Sequence, residues 1–479
     1  MPIAFDTSYA RLPERFFAAL EPNPVEAPRL LRLNHALAAE LGLDPVELST
    51  PEGLAWLAGN AVPPGAAFIA QAYAGHQFGH FTPRLGDGRA VLVGEVVTPT
   101  GSRRDLQLKG SGRTPFSRGG DGRAALGPVL REFLVSEAMA ALGIPTTRAL
   151  AAVATGEWLW RETDLPGAVL TRVAASHIRV GTFQFFAAQE DNEALALLAE
   201  HARARHYPEA EGPLGLLRGV IAAQARLVAR WLLVGFIHGV MNTDNCAISG
   251  ETIDYGPCAF MDAYNPATVF SSIDHQGRYA YGQQPRIAQW NLARLAEALL
   301  PLLAEDSDTA VALAQEALAE FPEHFHGAYR AGLCRKIGLP EASEANAALA
   351  QELLALMAQD KADFTLTFRT LCAAAESPEA DAAMRALLTT PGAYNAWAAR
   401  WRPLLPAGAA SAMRRENPAY IPRNHLVEAA LEAATRDDFG PFEALHLVLG
   451  QPFEEVPGQE EYALPPAVER PGYQTFCGT

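Results

Sequence analysis

One order of residues constrains this chain more than any bulk property. An apolar, helix-forming run over roughly residues 218–237 leads straight into His238. Asn245 follows seven positions later, then a compact hairpin around Ser249–Gly250, and then Asp254-Tyr255-Gly256. This spacing has a mechanical consequence. A tight reversal between Asn245 and Asp254 returns the chain so that one amide and one carboxylate converge. Oxygen donors of that kind suit Mg²⁺ or Mn²⁺, which keep water and phosphate oxygens as their other ligands. Alone, Asp-Tyr-Gly reads as a turn. With the helix, the histidine and the asparagine, it reads as a metal–nucleotide site.

Protein kinases and their small-molecule relatives use the same order of His, Asn, short hairpin and Asp-aromatic-Gly. The expected fold is therefore α+β and protein-kinase-like, with a β-rich first lobe and a helical second. Where a kinase carries its catalytic Asp this chain has Val240, which accepts no proton. Asp244 is the local carboxylate that can serve as base; it also reads as a loop residue capping a turn.

The other parts lie upstream. Residues 85–97 (LGDGRAVLVGEVV) run from a turn into a β-prone stretch, and residues 105–109 alternate as a second strand. Gly86 and Gly88 let backbone N–H groups approach phosphate, or mark a plain hairpin turn. Lys109, one of three lysines with Lys336 and Lys361, ends the second strand. Glu132 sits in a predicted helix over 128–142 and would pair with Lys109. Glu137 is a rival on the same helix, and Arg131 could be surface decoration. The loop over 110–127 sets arginines among glycines, either to wrap polyphosphate or as a mobile surface loop. Arg172 and Arg179 would share one face if helical, as a phosphate clamp or a solvated pair. No Walker-type phosphate loop occurs.

At 479 residues the chain can hold two or three packed units. The division expected is an N-terminal extension (1–65, with a helix over 28–41), a β-rich nucleotide-binding lobe (66–165), a helical lobe with the metal site (166–285) and a helical C-terminal extension (286–479). That extension holds helices over 287–303 and 345–358, and an irregular, exposed tail from Glu454. A net charge of −16 without any basic run disfavours nucleic acid as a partner. The five cysteines are scattered, which suits a reducing compartment better than a disulfide framework or a zinc site. No signal-peptide pattern or membrane span is legible, so a cytoplasmic location without a membrane partner is expected.

Longer strings then carry a resemblance. YARLPERFFA, AGHQFGHFTPRLGDGRA, LQLKGSGRTPFSRGGDGRAALGPVLREFLVSEAM, HGVMNTDN followed by TIDYGP, and NPAYIPRNH resemble the selenoprotein O family, from residue 9 to about 425. The resemblance implies a pseudokinase-like fold with inverted ATP, transferring AMP, or UMP from UTP, to hydroxyl side chains of proteins. It implies nucleotide contacts from Gly86, Gly88, Arg89, Asp121 and Gly122. Lys109 would bind phosphate with Glu132 as its partner, and Arg172 and Arg179 would hold phosphates. Asp244 would accept the proton, with Asn245 and Asp254 as ligands of Mg²⁺ or Mn²⁺. Cys477, in YQTFCGT, resembles the family's selenocysteine position, while Gln474 stands where a preceding cysteine would be. A redox-active thiol and a plain exposed cysteine both fit it. Two other readings of the chain stay open: γ-phosphoryl transfer, and a nucleotide-binding scaffold without catalysis.

Overall fold

The computed structural model describes residues 3–21, 23–467 and 473–475; Cys477 lies outside them. The architecture is α+β. The first part of the chain supplies β1 (Phe17–Ala19), β2 (Arg29–Leu33), β3 (Ile69–Gln71), β4 (Gly75–Gln77), β5 (His80–Thr82), β6 (Ala90–Val97), β7 (Arg103–Lys109), β8 (Ala124–Ala125), β9 (Arg148–Trp160) and β10 (Asp164–Ala174). Their main sheet runs β1-β3-β6-β7-β10-β9-β2 with antiparallel neighbours, and β8 pairs β10; β4 and β5 form a separate hairpin.

The sheet's two faces follow from alternation. In β7, Leu106 and Leu108 are fully buried beneath Leu37, Trp56 and Leu57 of the N-terminal segment. Asp105, Gln107 and Lys109 must then point to the opposite face. On that face the Leu126–Ala141 helix packs Leu130, Phe133 and Leu134 against Ala149, Ala152, Ala168 and Leu170 of β9 and β10.

Several expectations need correction. The helix expected over 28–41 is strand β2 followed by a short helix, His35–Glu40. RLLRL places leucines at helical spacing, but the free side of β9 recruits it as an edge strand, and such pairing outweighs local preference. The last strand of the sheet, β10, runs on to Ala174. The long apolar helix spans Gly212–Leu233 rather than reaching residue 237. Gly235, at φ 75°, breaks it, and the next residues form β11 (Phe236–Ile237), paired with β12 (Ala259–Phe260).

The reversal at Ser249–Gly250 is present, but its arms do not pair with each other. Ala247 bridges Arg179 and Thr252 bridges Thr146 instead. Segments on both sides have captured the hairpin's edges, which fixes the loop between Asn245 and Asp254 at two points.

The Gly212–Leu233 helix is the axis of the helical part. It shares one apolar core with the helices Gln284–Leu303, Phe321–Lys336 and Glu344–Asp360. Each buried leucine there contributes roughly 1.5–3 kcal/mol. Arg423, fully buried, ties the C-terminal part back to the site: its Nη1 lies 2.6 Å from both Asp262 and Asp363. The tail is not wholly exposed, since Thr475 is buried and bridges Ser271. No helix among the described residues is long and apolar enough to cross a membrane.

Candidate active site

Strand pairing builds the floor of the site. Lys109 is opposite Ala90 of β6 and Leu170 of β10, and Arg172 lies two residues further along β10, opposite Gln107. The Leu126–Ala141 helix drops Glu132 between the two cations. Lys109 Nζ donates to Glu132 Oε2 at 2.5 Å, and Arg172 lies 2.6 Å from Oε1. Burial pushes the Glu132 carboxyl up, but Arg172 and Lys109 more than offset this and hold it below its usual range. Glu137, the rival, is occupied elsewhere by Arg148 and the backbone of Ala149. Arg131 is not surface decoration: it is buried and donates to the Cys258 carbonyl and Glu428.

Asp254 completes this cluster, with Oδ1 3.7 Å from Lys109 Nζ. Burial alone would raise its carboxyl; the field of Lys109, Arg89 and Arg172 overrides burial and holds it well below the ordinary range. Its backbone adopts φ 69°, a left-handed conformation that Asp tolerates better than most residues. His238 sets its position from behind: Nε2 lies 2.9 Å from the Ile253 carbonyl, so that nitrogen carries the proton.

The loop after His238 is held by the β4–β5 hairpin. Asn242 Oδ1 accepts from Phe78 N and the Tyr279 hydroxyl, and Thr243 Oγ1 accepts from His76 N. Asp244 follows, only 8 % exposed, with Oδ2 accepting from Gln77 Nε2 at 3.3 Å and Oδ1 lacking a hydrogen-bond partner. Burial lifts its carboxyl to about 6, against the opposing pull of Arg179. A Cβ at position 75 would lie 2.5 Å from Asp244 Oδ1, so Gly75 makes the room this carboxylate occupies.

Arg172 and Arg179 are not on one helix. Arg172 sits in β10, because Thr171 and Val173 continue the pairing with β7 and β9, whereas Arg179 N-caps the helix Val180–Ala187. Both nonetheless reach the same cavity. Arg179 stacks 4.3 Å from the centre of the Tyr73 ring and lies 3.6 Å from Asp87 Oδ1.

The arginine-rich loop closes the rim. Thr114 and Ser117 donate to the Asp87 and Gly88 carbonyls, latching it onto the glycine turn. Gly86, at φ 67°, lies directly under Phe116, where any Cβ would collide. Asp121 is held at the mouth by two hydrogen bonds from Arg161, at 2.9 and 3.0 Å.

These parts enclose a cavity of about 730 Å³, within the range of small-molecule sites. Gly86, Gly88, Arg89, Lys109, Asp121, Gly122, Arg172, Arg179, Asp244, Asn245 and Asp254 all line it; Glu132 lies just behind, beside Lys109 and Asp254. Tyr73, Gln77, Asp87, Phe116 and Arg161 belong to the same cavity neighbourhood and went unread in the sequence. Asp87 had the best signal, an acid between two glycines.

The donors fit a hard divalent cation that shares its ligands with phosphate. Asn245 commits its amide nitrogen to the Val240 carbonyl at 3.1 Å, leaving its oxygen as the donor end. Asp254 stays ionised, and its Oδ1 has no hydrogen-bond donor. Among the described residues no group of three His, Cys, Asp or Glu side chains forms a closed metal cage. Such an open set is what Mg²⁺ or Mn²⁺ uses when phosphate supplies the rest.

Known proteins similar to this chain match it over nearly its whole length. The family model for protein adenylyltransferase SelO matches residues 1–449. A protein nucleotidyltransferase YdiU of Rhodopseudomonas palustris is 62% identical over 486 residues, covering 99% of each chain. Those of Bradyrhizobium diazoefficiens and Methylorubrum populi are each 63% identical, again over 99% of both chains.

Proposed function

The chain belongs to the protein adenylyltransferase SelO family and is an enzyme of nucleotidyl transfer to protein; from that premise we propose how its own residues carry the reaction. The β-rich part from residue 66 acts as the nucleotide lobe of a kinase-like pair, with the segment ending near 285 as its helical partner. Residues 1–65 and 286–479 are extensions around that pair. ATP, or UTP, binds inverted, with its phosphates deep against Lys109, Arg172 and Arg179. Gly86, Gly88, Arg89, Asp121 and Gly122 line the remainder of the nucleotide. Asn245 and Asp254 would hold Mg²⁺ or Mn²⁺, which when bound would neutralise charge on the phosphates.

Asp244 takes the proton from a Ser, Thr or Tyr hydroxyl of the protein substrate. The acceptor oxygen bonds to the α-phosphorus, and the bond from that phosphorus to its bridging oxygen breaks, releasing pyrophosphate. Lys109, Arg89, Arg172 and Arg179 take up the charge developing on the leaving group. Glu132 keeps Lys109 and Arg172 aimed, because one carboxylate binds both. The buried free thiols Cys246, Cys258, Cys334 and Cys372 suit a cytoplasmic enzyme.

The observation that carries this reading is the pairing of Val240 with Asp244. The kinase base position is buried and apolar, while Asp244, four residues on, lines the cavity with a carboxyl that burial lifts to about 6. Incubation with ATP labelled on the α- or the γ-phosphate tests it. Protein-bound label is expected from the α position alone; label entering only from the γ position would make this a phosphotransferase.

A further inference from the structure

We propose that the β9–β10 hairpin docks an extended, basic segment of the protein substrate and leads its hydroxyl to the cavity mouth. The inference rests on the reading of that cavity as a protein nucleotidyltransferase site. It begins with two side chains out of place. Trp158 and Trp160 are 69% and 72% exposed, whereas Trp56, Trp231, Trp397 and Trp401 are buried. Lying two apart on β9, they share one face, while Leu159 between them turns inward and is buried.

Register places more on that face. Trp160 is opposite Asp164 and Trp158 is opposite Pro166, so the four side chains lie together. Asp164 and Glu162 at the hairpin's end are exposed, and neither has an ion-pair partner among the described residues. Indole rings beside a free carboxylate make a receptor for Lys or Arg. The opposite face is already committed. Glu157 pairs with Arg123, and Arg161 with Asp121, which fixes the hairpin to the rim of the cavity.

The strand also has a free edge. β2 pairs β9 as far as Ala154, opposite Arg29, Ala27 N adds one more backbone hydrogen bond to the Thr155 carbonyl, and Gly156 (φ 76°) interrupts the ladder. Among the described residues, no strand pairs Glu157–Trp160 on the side away from β10. An open edge beside ordered side-chain contacts is how extended peptides are captured by strand addition. A second copy of this chain is a poor occupant, because it brings the same acidic face and a net charge of −16. A basic, extended segment satisfies the edge, the indoles and the carboxylates at once.

The test uses full-length enzyme, α-labelled ATP and synthetic peptides, each with one Ser, Thr or Tyr flanked by Lys and Arg. Matched peptides carry Glu at the flanking positions. The wild type should favour the basic set, and Trp158→Ser with Trp160→Ser should lower kcat/KM for it at least about tenfold, mostly through KM. Affinity for a non-hydrolysable ATP analogue should not change, because neither indole lines the cavity. Equal labelling by the variant, or a wild-type preference for the acidic peptides, overturns the proposal. A wild-type dimer that the double substitution dissociates also overturns it, assigning the patch to self-association. If the wild type labels no acceptor from the α position, the transferase site itself has failed and the docking face falls with it. Normal labelling without dependence on Trp158 and Trp160 would sink the docking face alone.

Discussion

Asp254→Asn is expected to lower nucleotidyl transfer by at least about 100-fold while leaving the protein folded, since one charge-stabilising group at a reacting phosphate is commonly worth that much. The substitution keeps the side chain's shape and the left-handed backbone, which Asn adopts as readily as Asp. It removes the carboxylate that Lys109, Arg89 and Arg172 hold ionised. Lys109 keeps Glu132 as its partner, so no buried ammonium is left alone. Rates of α-label incorporation, with melting temperatures of both proteins, check this. A D254N variant that transfers at more than about a tenth of the wild-type rate would remove Asp254 from the metal site.

The second large effect is at Asp244. Asp244→Asn should slow transfer by about 10²–10⁴-fold, the usual contribution of a general base, with nucleotide affinity little changed. In the wild type the rate should rise with pH and level off above about 6, where burial has placed this carboxyl. The sign is fixed by the role: a base works deprotonated, so protonation below that value removes activity. Linkage runs the other way for stability. A carboxyl raised from 3.8 to about 6 on folding stabilises the protein most below its unfolded value, and that contribution is lost as pH rises through about 6. The D244N variant, whose amide never ionises, should therefore be at least as stable as the wild type at neutral pH. A pH–rate profile of both proteins decides it: the same acid limb in the variant would assign the titration to another group.

The parts legible in the sequence were those whose chemistry is local. The valines of β6, the alternation in β7 and the apolar face of the Leu126–Ala141 helix each carry their own period. The order His238, Asn245, Asp254 carries its own spacing. Harder to read were roles created by tertiary pairing. Nothing in RLLRL announces an edge strand until β9 offers it a partner. The span between Arg172 and Arg179 looks like two helical turns, yet it is a strand end and a helix cap. Tyr73 belongs to no motif, and although Gln77 and Asn242 lie within AGHQFGHFTPRLGDGRA and HGVMNTDN, neither string announces that they hold Asp244 and the loop before it. Trp158 and Trp160 look like ordinary strand aromatics until their exposure is known.

The most direct test of this mechanism is a crystal structure with a non-hydrolysable ATP analogue and Mn²⁺, whose anomalous scattering marks the metal. Mn²⁺ is expected on Asn245 and Asp254, with phosphates deep against Lys109, Arg172 and Arg179 and the α-phosphate facing Asp244. Phosphates at the mouth with the base buried, or a metal bound away from Asp254, would contradict it.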